Sequence, residues 1–134
     1  MTTLKEEIID IKRFHFRSLF TGLVPLFVLA HFSHHVITAL NIPLLPFIRS
    51  DFMLDYTQSG LVVSAFSLAY GIGQLPAGWF ADRMGARFVI VIGISGVALA
   101  GFFVGLSQTF IMIILFLMFM GFAGGGYHPA AAPL

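Results

Sequence analysis

Four long apolar stretches separated by short polar interruptions run along the chain. The first extends from Leu19 to about Leu40 without Asp, Glu, Lys or Arg. At about 1.5 Å per residue it reaches about 33 Å, enough for a hydrocarbon core of about 30 Å. Pro43 and Pro46 are expected to end it, and Arg49, Ser50, Asp51 and Asp55 mark an aqueous connection. A second stretch is expected from about Ser59 to Phe80, capped by Thr57 or Ser59 and bent by Pro76. The third runs from about Phe88 to Leu106. Ser107, Gln108 and Thr109 then form a polar turn before a fourth, from about Phe110 to Ala131. Upstream, Leu4, Ile8, Ile11 and Phe14 recur at helical spacing with most charges off that line, which predicts a short interfacial amphipathic helix within residues 1–18. The predicted fold class is all-α: a polytopic membrane helical bundle with about four transmembrane helices in residues 19–134.

Composition supports a membrane protein. Of 134 residues, 58% are hydrophobic and 10% charged, against about 25% charged in soluble domains. Cysteine is absent, which removes disulfides, thiolate nucleophiles and sulfur metal ligands. There is no nucleophile elbow, phosphate loop, dinucleotide glycine fingerprint or zinc-protease motif, so neither an enzyme nor a cofactor is expected. The basic residues bear on orientation and not on nucleic acid. A cytoplasmic amino terminus places Lys5, Lys12, Arg13, Arg17, Arg83 and Arg87 inside and only Arg49 outside. The expected setting is the plasma (inner) membrane with the amino terminus in the cytoplasm. The fourth stretch meets Leu134 without a basic or polar anchor, which reads as a fragment of a longer protein.

Between the second and third stretches stands Gly78-Trp79-Phe80-Ala81-Asp82-Arg83-Met84-Gly85-Ala86-Arg87. Gly78 permits close helix approach, Gly85 permits a left-handed turn, and the charges avoid hydrocarbon. Charge alone fits an ordinary cytoplasmic loop equally well. The spacing Gly-x-x-x-Asp-Arg-x-Gly-x-Arg, however, resembles the signature loop between helices two and three of the major facilitator superfamily (MFS). Ala39-Leu40-Asn41-Ile42-Pro43-Leu44-Leu45-Pro46 and the Gly-rich fourth stretch are similar to that family as well. The resemblance covers residues 19–134. It implies a fold of two six-helix bundles with a central site, and secondary active transport of a small organic solute by alternating access, with proton coupling open. It also implies that Asp82, Arg83 and Arg87 join a cytoplasmic charge network that steadies the outward-open state, so Gly78, Asp82, Arg83, Gly85 and Arg87 are the expected gating loop. Many drug and proton antiporters of the superfamily carry an Arg four residues before a Gly in the fourth helix. Leu117 stands there before Gly121, so their coupling scheme is not implied. Gly124 to Ala130 resembles, more weakly, the fourth helix of fosmidomycin-resistance-type members.

The polar residues within the spans are the candidates for chemistry. His31, His34, His35, Thr38 and Asn41 fall within an arc of about 120°, with Ser33 nearly opposite. They either hydrogen-bond to neighbouring helices or line a cavity where imidazoles carry protons or meet an anion. Gly60, Ser64, Ser67, Gly71, Gln74 and Gly78 share an arc of about 80° on the second span. Close helix packing is expected there, with Gln74 as a polar contact. Gly101-x-x-x-Gly105 and Gly121-x-x-x-Gly125 are further small-residue contacts. His128 precedes Pro129, which leaves a carbonyl free and marks either a binding element or a plain bend. No carboxylate or thiolate shares the first span, so no metal site is expected. The expected partners are a small-molecule substrate, protons, the lipid bilayer, and the remainder of a transporter or a partner chain. The alternative is a small four-helix module that oligomerises or binds another membrane protein without a transport cycle.

Overall fold

The structure is a computed structural model and describes residues 23–131. The amphipathic segment expected within residues 1–18, its basic residues and residues 19–22 of the first span lie outside the described residues. Among the described residues six helices follow one another: α1 (Leu23–Ala39), α2 (Asn41–Asp51), α3 (Tyr56–Met84), α4 (Ala86–Gly105), α5 (Phe110–Gly125) and α6 (Tyr127–Ala131). Four stretches are long and apolar enough to cross a membrane: Val24–Asp51, Tyr56–Met84, Ala86–Gly105 and Phe110–Ala131. Helices α1 and α2 therefore form one interrupted span, and α5 and α6 another. Continuous helix satisfies every backbone group within hydrocarbon, and each interruption needs a specific cause.

Proline supplies that cause at both breaks. Pro43 has no N–H for the carbonyl of Ala39, four residues back, and the helix breaks at Leu40. Pro129 likewise leaves the carbonyl of Gly125, and the break falls at Gly126. The expectation that Pro43 and Pro46 end the first span is corrected here. Helix resumes at Asn41, so Pro43 lies in the first turn of α2, where no intrahelical donor is required, and Pro46 is carried inside it. The aqueous connection contracts to the turn before α3. Arg49 Nε donates to the carbonyl of Leu54 at 3.2 Å, the Arg49 guanidinium lies 3.9 Å from the Tyr56 ring centroid, and Met53 takes a positive φ of 49°.

The second span starts earlier and ends later than its apolar pattern, and its cap is neither Thr57 nor Ser59. Asp55 Oδ1 accepts from the Gln58 amide at 2.7 Å, and the Asp55 amide donates to Gln58 Oε1 at 3.0 Å, a reciprocal capping box. The Ser59 hydroxyl donates instead to the Asp55 carbonyl at 2.7 Å. Helix α3 continues with Pro76 inside it and carries Asp82 and Arg83 on its last turns. Gly85, at φ +92°, is the single residue between α3 and α4 and takes the positive φ its place in the motif suggested. Thr109 caps α5 by accepting from the Met112 amide at 3.3 Å.

Within residues 34–131, α5 packs against both α3 and α4, most closely against α3. Lipid is as apolar as leucine, so this contact depends on backbone proximity more than on the hydrophobic effect. A Cβ on Gly121 or Gly125 would collide with the carbonyl oxygens of Phe66 and Tyr70, and one on Gly73 with that of Phe122. The expected contact of Gly121 and Gly125 is present. Two other expectations, for the stripe on the second span and for Gly101 with Gly105, are corrected. A Cβ added at Gly60, Gly71 or Gly78 would meet nothing within 4 Å, one at Gly105 would meet nothing either, and one at Gly101 would reach only Ile37 Cγ2 at 3.4 Å. The buried face of α3 is Ser59, Val62, Ala69, Gly73 and Ala77, turned about 130° from the small-residue stripe. Val62, Val97, Ala100, Ile113, Leu117 and Met120 form the main core, joined by Leu54, and Ile90, Tyr127 and Ala130 form a smaller one. Residues 23–33 form a separate unit, a helical stretch with Leu26, Val28, Leu29 and Phe32 exposed.

Candidate functional site

Adjacent residues on a helix point about 100° apart, so His34 and His35 on α1 point different ways, as do Tyr127 and His128 on α6. The inward members meet: His34 and Tyr127 are both buried and stack with ring centroids 4.6 Å apart and planes 15° from parallel. The outward members also meet. His35 and His128 are exposed, with centroids 5.4 Å apart at 46°. His34 lies 5.4 Å from His35 and 6.1 Å from His128, both edge-on. Gly124 makes room for this cluster, since a Cβ there would stand 3.3 Å from His34 Cε1 and 3.5 Å from Tyr70 Cε2.

Thr38 and Asn41 serve the backbone at the α1–α2 break. The Thr38 hydroxyl donates to the His34 carbonyl at 2.8 Å, and the Asn41 amide donates to the Thr38 carbonyl at 3.2 Å. Thr38 also faces a cavity of about 280 Å³ lined by His35, Thr38, Ala39, Phe66, Ser67 and Tyr70. Its size is near the low end of the usual range of about 300–1,000 Å³ for ligand pockets. A larger groove of about 500 Å³ runs between Gly73, Ala77, Phe80, Phe88, Ile92 and Phe122, and its lining holds no polar side chain.

Of the residues singled out in the sequence, His34, His35 and His128 come together, and Thr38 borders the 280 Å³ cavity beside His35. Gln74 is exposed on α3 and does not line the cavity, while His31 is half-buried in the 23–33 unit. Asp82, Arg83, Gly85 and Arg87 are exposed, Gly78 is half-buried, and the Arg83 guanidinium lies 4.3 Å from the Trp79 ring centroid. Tyr70 and Tyr127 are the members of the site that periodicity did not find. Their signal was a phenol inside an apolar span, next to Ser67 in one case and His128 in the other. Among the described residues no group of three or more His, Asp or Glu has the arrangement to hold a metal. Residues 24–48, 56–81 and 88–131 contain no Asp, Glu, Lys or Arg, so in these stretches ionisation is confined to imidazoles and phenols.

Three relatives bear on the function. Over 82 residues the chain is 35% identical to a protein of Escherichia coli K12 named "Probable L-galactonate transporter", an overlap covering 61% of this chain and 18% of the relative. It is 30% identical over 86 residues to a "Probable sulfoacetate transporter" of Cupriavidus necator, covering 64% of the chain and 20% of the relative. It is 47% identical over 47 residues to a "Probable galactarate/D-glucarate transporter" of Bacillus subtilis, covering 35% and 10%. The matched part of the chain thus spans between a tenth and a fifth of each relative's length. The weaker likeness to fosmidomycin-resistance-type members gains nothing from these relatives. No solved structure matches the chain significantly. The family model described as Major Facilitator Superfamily matches residues 27–134, from the first span through the fourth, and the chain belongs to that superfamily.

Proposed function

We propose that this chain is the amino-terminal part of a secondary active transporter that moves a small organic anion across the plasma membrane by alternating access, with protons as the coupling ion. The observation that carries this reading is the cluster of His34, His35 and His128 within residues 24–48 and 88–131, stretches that hold no Asp or Glu and so do not themselves repel an anion. The names of the relatives agree with it, since galactonate, glucarate and sulfoacetate are all anionic organic acids. In this reading His34, His35, Thr38 and His128 belong to the substrate and proton path. Asn41 holds the helix break beside it, and Gln74 faces helices that the chain does not supply. Asp82, Arg83 and Arg87, turned by Gly85, form the cytoplasmic gate. The bias of the basic residues supports a cytoplasmic amino terminus and a cytoplasmic position for this loop.

Uptake of labelled L-galactonate into proteoliposomes by the protein in its complete form tests the proposal. Saturable uptake that glucarate inhibits and neutral galactitol does not is the expected result. Equal uptake of galactitol, or none of galactonate, glucarate or sulfoacetate, would contradict it. These 134 residues by themselves are expected to give no saturable uptake, because an alternating-access site needs a second bundle to close against.

A further inference from the structure

We propose that Thr38, Ser67 and Tyr70 form a subsite that reads the hydroxyl groups of the substrate, so that Ser67 and Tyr70 select a polyhydroxylated acid over an acid of the same charge without hydroxyls. This rests on the anion-transport reading and names the substrate class of the same site. The relatives leave that class open, since galactonate and glucarate carry a chain of hydroxyls and sulfoacetate carries none.

The cavity of about 280 Å³ lies between His35, Thr38 and Ala39 of α1 and Phe66, Ser67 and Tyr70 of α3. On each helix the three positions fall within an arc of about 100°, so each helix presents a single face to it. The hydroxyls differ in what they have left to offer. Thr38 donates to the His34 carbonyl at 2.8 Å, so towards the cavity its oxygen can only accept. Ser67 is exposed and Tyr70 half-buried, and among the described residues neither hydroxyl has a hydrogen-bond partner. Each therefore offers both a donor and an acceptor. That set matches an open-chain polyol, in which every hydroxyl gives one hydrogen bond and accepts others. The rest of the α3 wall is the Phe66 ring, 5.8 Å from the Tyr70 ring at 34°, an apolar surface for the C–H side of the same carbon chain. Apolar walls with a few placed polar groups are the usual make-up of small-molecule sites. His35 belongs both to this wall and to the ring cluster, so a ligand whose carboxylate meets the cluster extends its hydroxylated tail along Ser67 and Tyr70.

Selection comes from the hydroxyls and not from the charge. Two acids of equal charge gain alike at the ring cluster, which therefore does not tell them apart. An acid without hydroxyls that fills the cavity excludes water from Ser67 and Tyr70 and gives them nothing in return, and an unpaired polar group inside an apolar span is costly. Sites built to hydrogen-bond a substrate hydroxyl reject analogues that lack it for this reason.

Uptake into proteoliposomes by the protein in its complete form tests the subsite, with labelled D-glucarate and sulfoacetate, two acids of equal charge, and neutral galactitol. In the unaltered protein kcat/KM for glucarate is expected to exceed that for sulfoacetate by about tenfold or more. Ser67→Ala and Tyr70→Phe each remove one hydroxyl and little volume. Each should lower kcat/KM for glucarate by about three- to tenfold, mainly through KM, and leave sulfoacetate within about twofold. Ser67→Thr keeps the hydroxyl and should keep the preference. Equal losses for both acids would make the hydroxyls structural and overturn the subsite, as would unchanged kinetics in both variants or a preference for sulfoacetate. Saturable uptake of both acids with any of these results would leave anion transport standing. Galactitol uptake equal to that of glucarate, and lowered by both variants, would keep the subsite and overturn the anion reading. No uptake of any of the three would overturn both.

Discussion

Gly124 shows how a missing side chain can shape a site. Its Cβ position lies 3.2 Å from Val97 Cγ2 as well as against His34 and Tyr70, so the ring cluster and α5 compete for the same space. Gly124→Ala is expected to displace His34 from Tyr127 and lower galactonate uptake by the complete protein several-fold. Gly125→Ala meets backbone, not a movable ring, and should lower stability by about 1–3 kcal/mol in detergent melting. Gly71→Ala, with open space around it, should be neutral or stabilise by up to about 1 kcal/mol. Equal melting temperatures for the Gly125 and Gly71 variants would contradict the α3–α5 crossing. The sequence displayed these glycines but not their ranks. Spacing groups residues by face, and which face meets a neighbour depends on the rotation of the whole helix. That rotation turns Gly73 into the contact and leaves Gly60, Gly71 and Gly78 open.

Among the elements, the interrupted spans carry the site. Both breaks fall three residues before a proline, at Leu40 before Pro43 and at Gly126 before Pro129, so the site lies where backbone carbonyls have lost their donors. Pro129→Ala restores the N–H that Gly125 lacks and is expected to fuse α5 with α6. Melting temperature should then rise while galactonate uptake by the complete protein falls, because His128 turns away from His35. A variant with unchanged melting and unchanged uptake would refute this account of the break. At the other end of the bundle, Asp55→Ala removes one half of the capping box and is expected to cost about 0.5–2 kcal/mol, with faster amide exchange confined to the first turn of α3. Four spans and their order were legible from hydropathy alone, since about 20 apolar residues admit few alternatives. The ends were not. Asp55 caps through Gln58 and α3 continues through Asp82 and Arg83, and both depend on polar side chains that a hydropathy pattern reads as loop.

Across the whole molecule, family and site were legible in the chain to different degrees. The loop motif identified the superfamily from spacing, and the match over residues 27–134 agrees. The site could not be read the same way, because it forms only when the end of the first span meets the end of the fourth, almost a hundred residues later in the chain. The lack of cysteine makes both the topology and this meeting directly measurable. Met53→Cys is expected to react with a membrane-impermeant thiol reagent from outside intact cells, and Met84→Cys only after the cells are opened; the reverse pattern would invert the proposed orientation. The most direct test of the central claim is a cross-link. With His35→Cys and His128→Cys combined in the otherwise cysteine-free chain, a short bifunctional thiol reagent in native membranes should bridge the two positions within one chain. A control pairing His35→Cys with Ile111→Cys, at the opposite end of α5, should stay unlinked. Failure of the first pair to link, or equal linking of both pairs, would contradict the meeting of α1 with α6 on which the site depends.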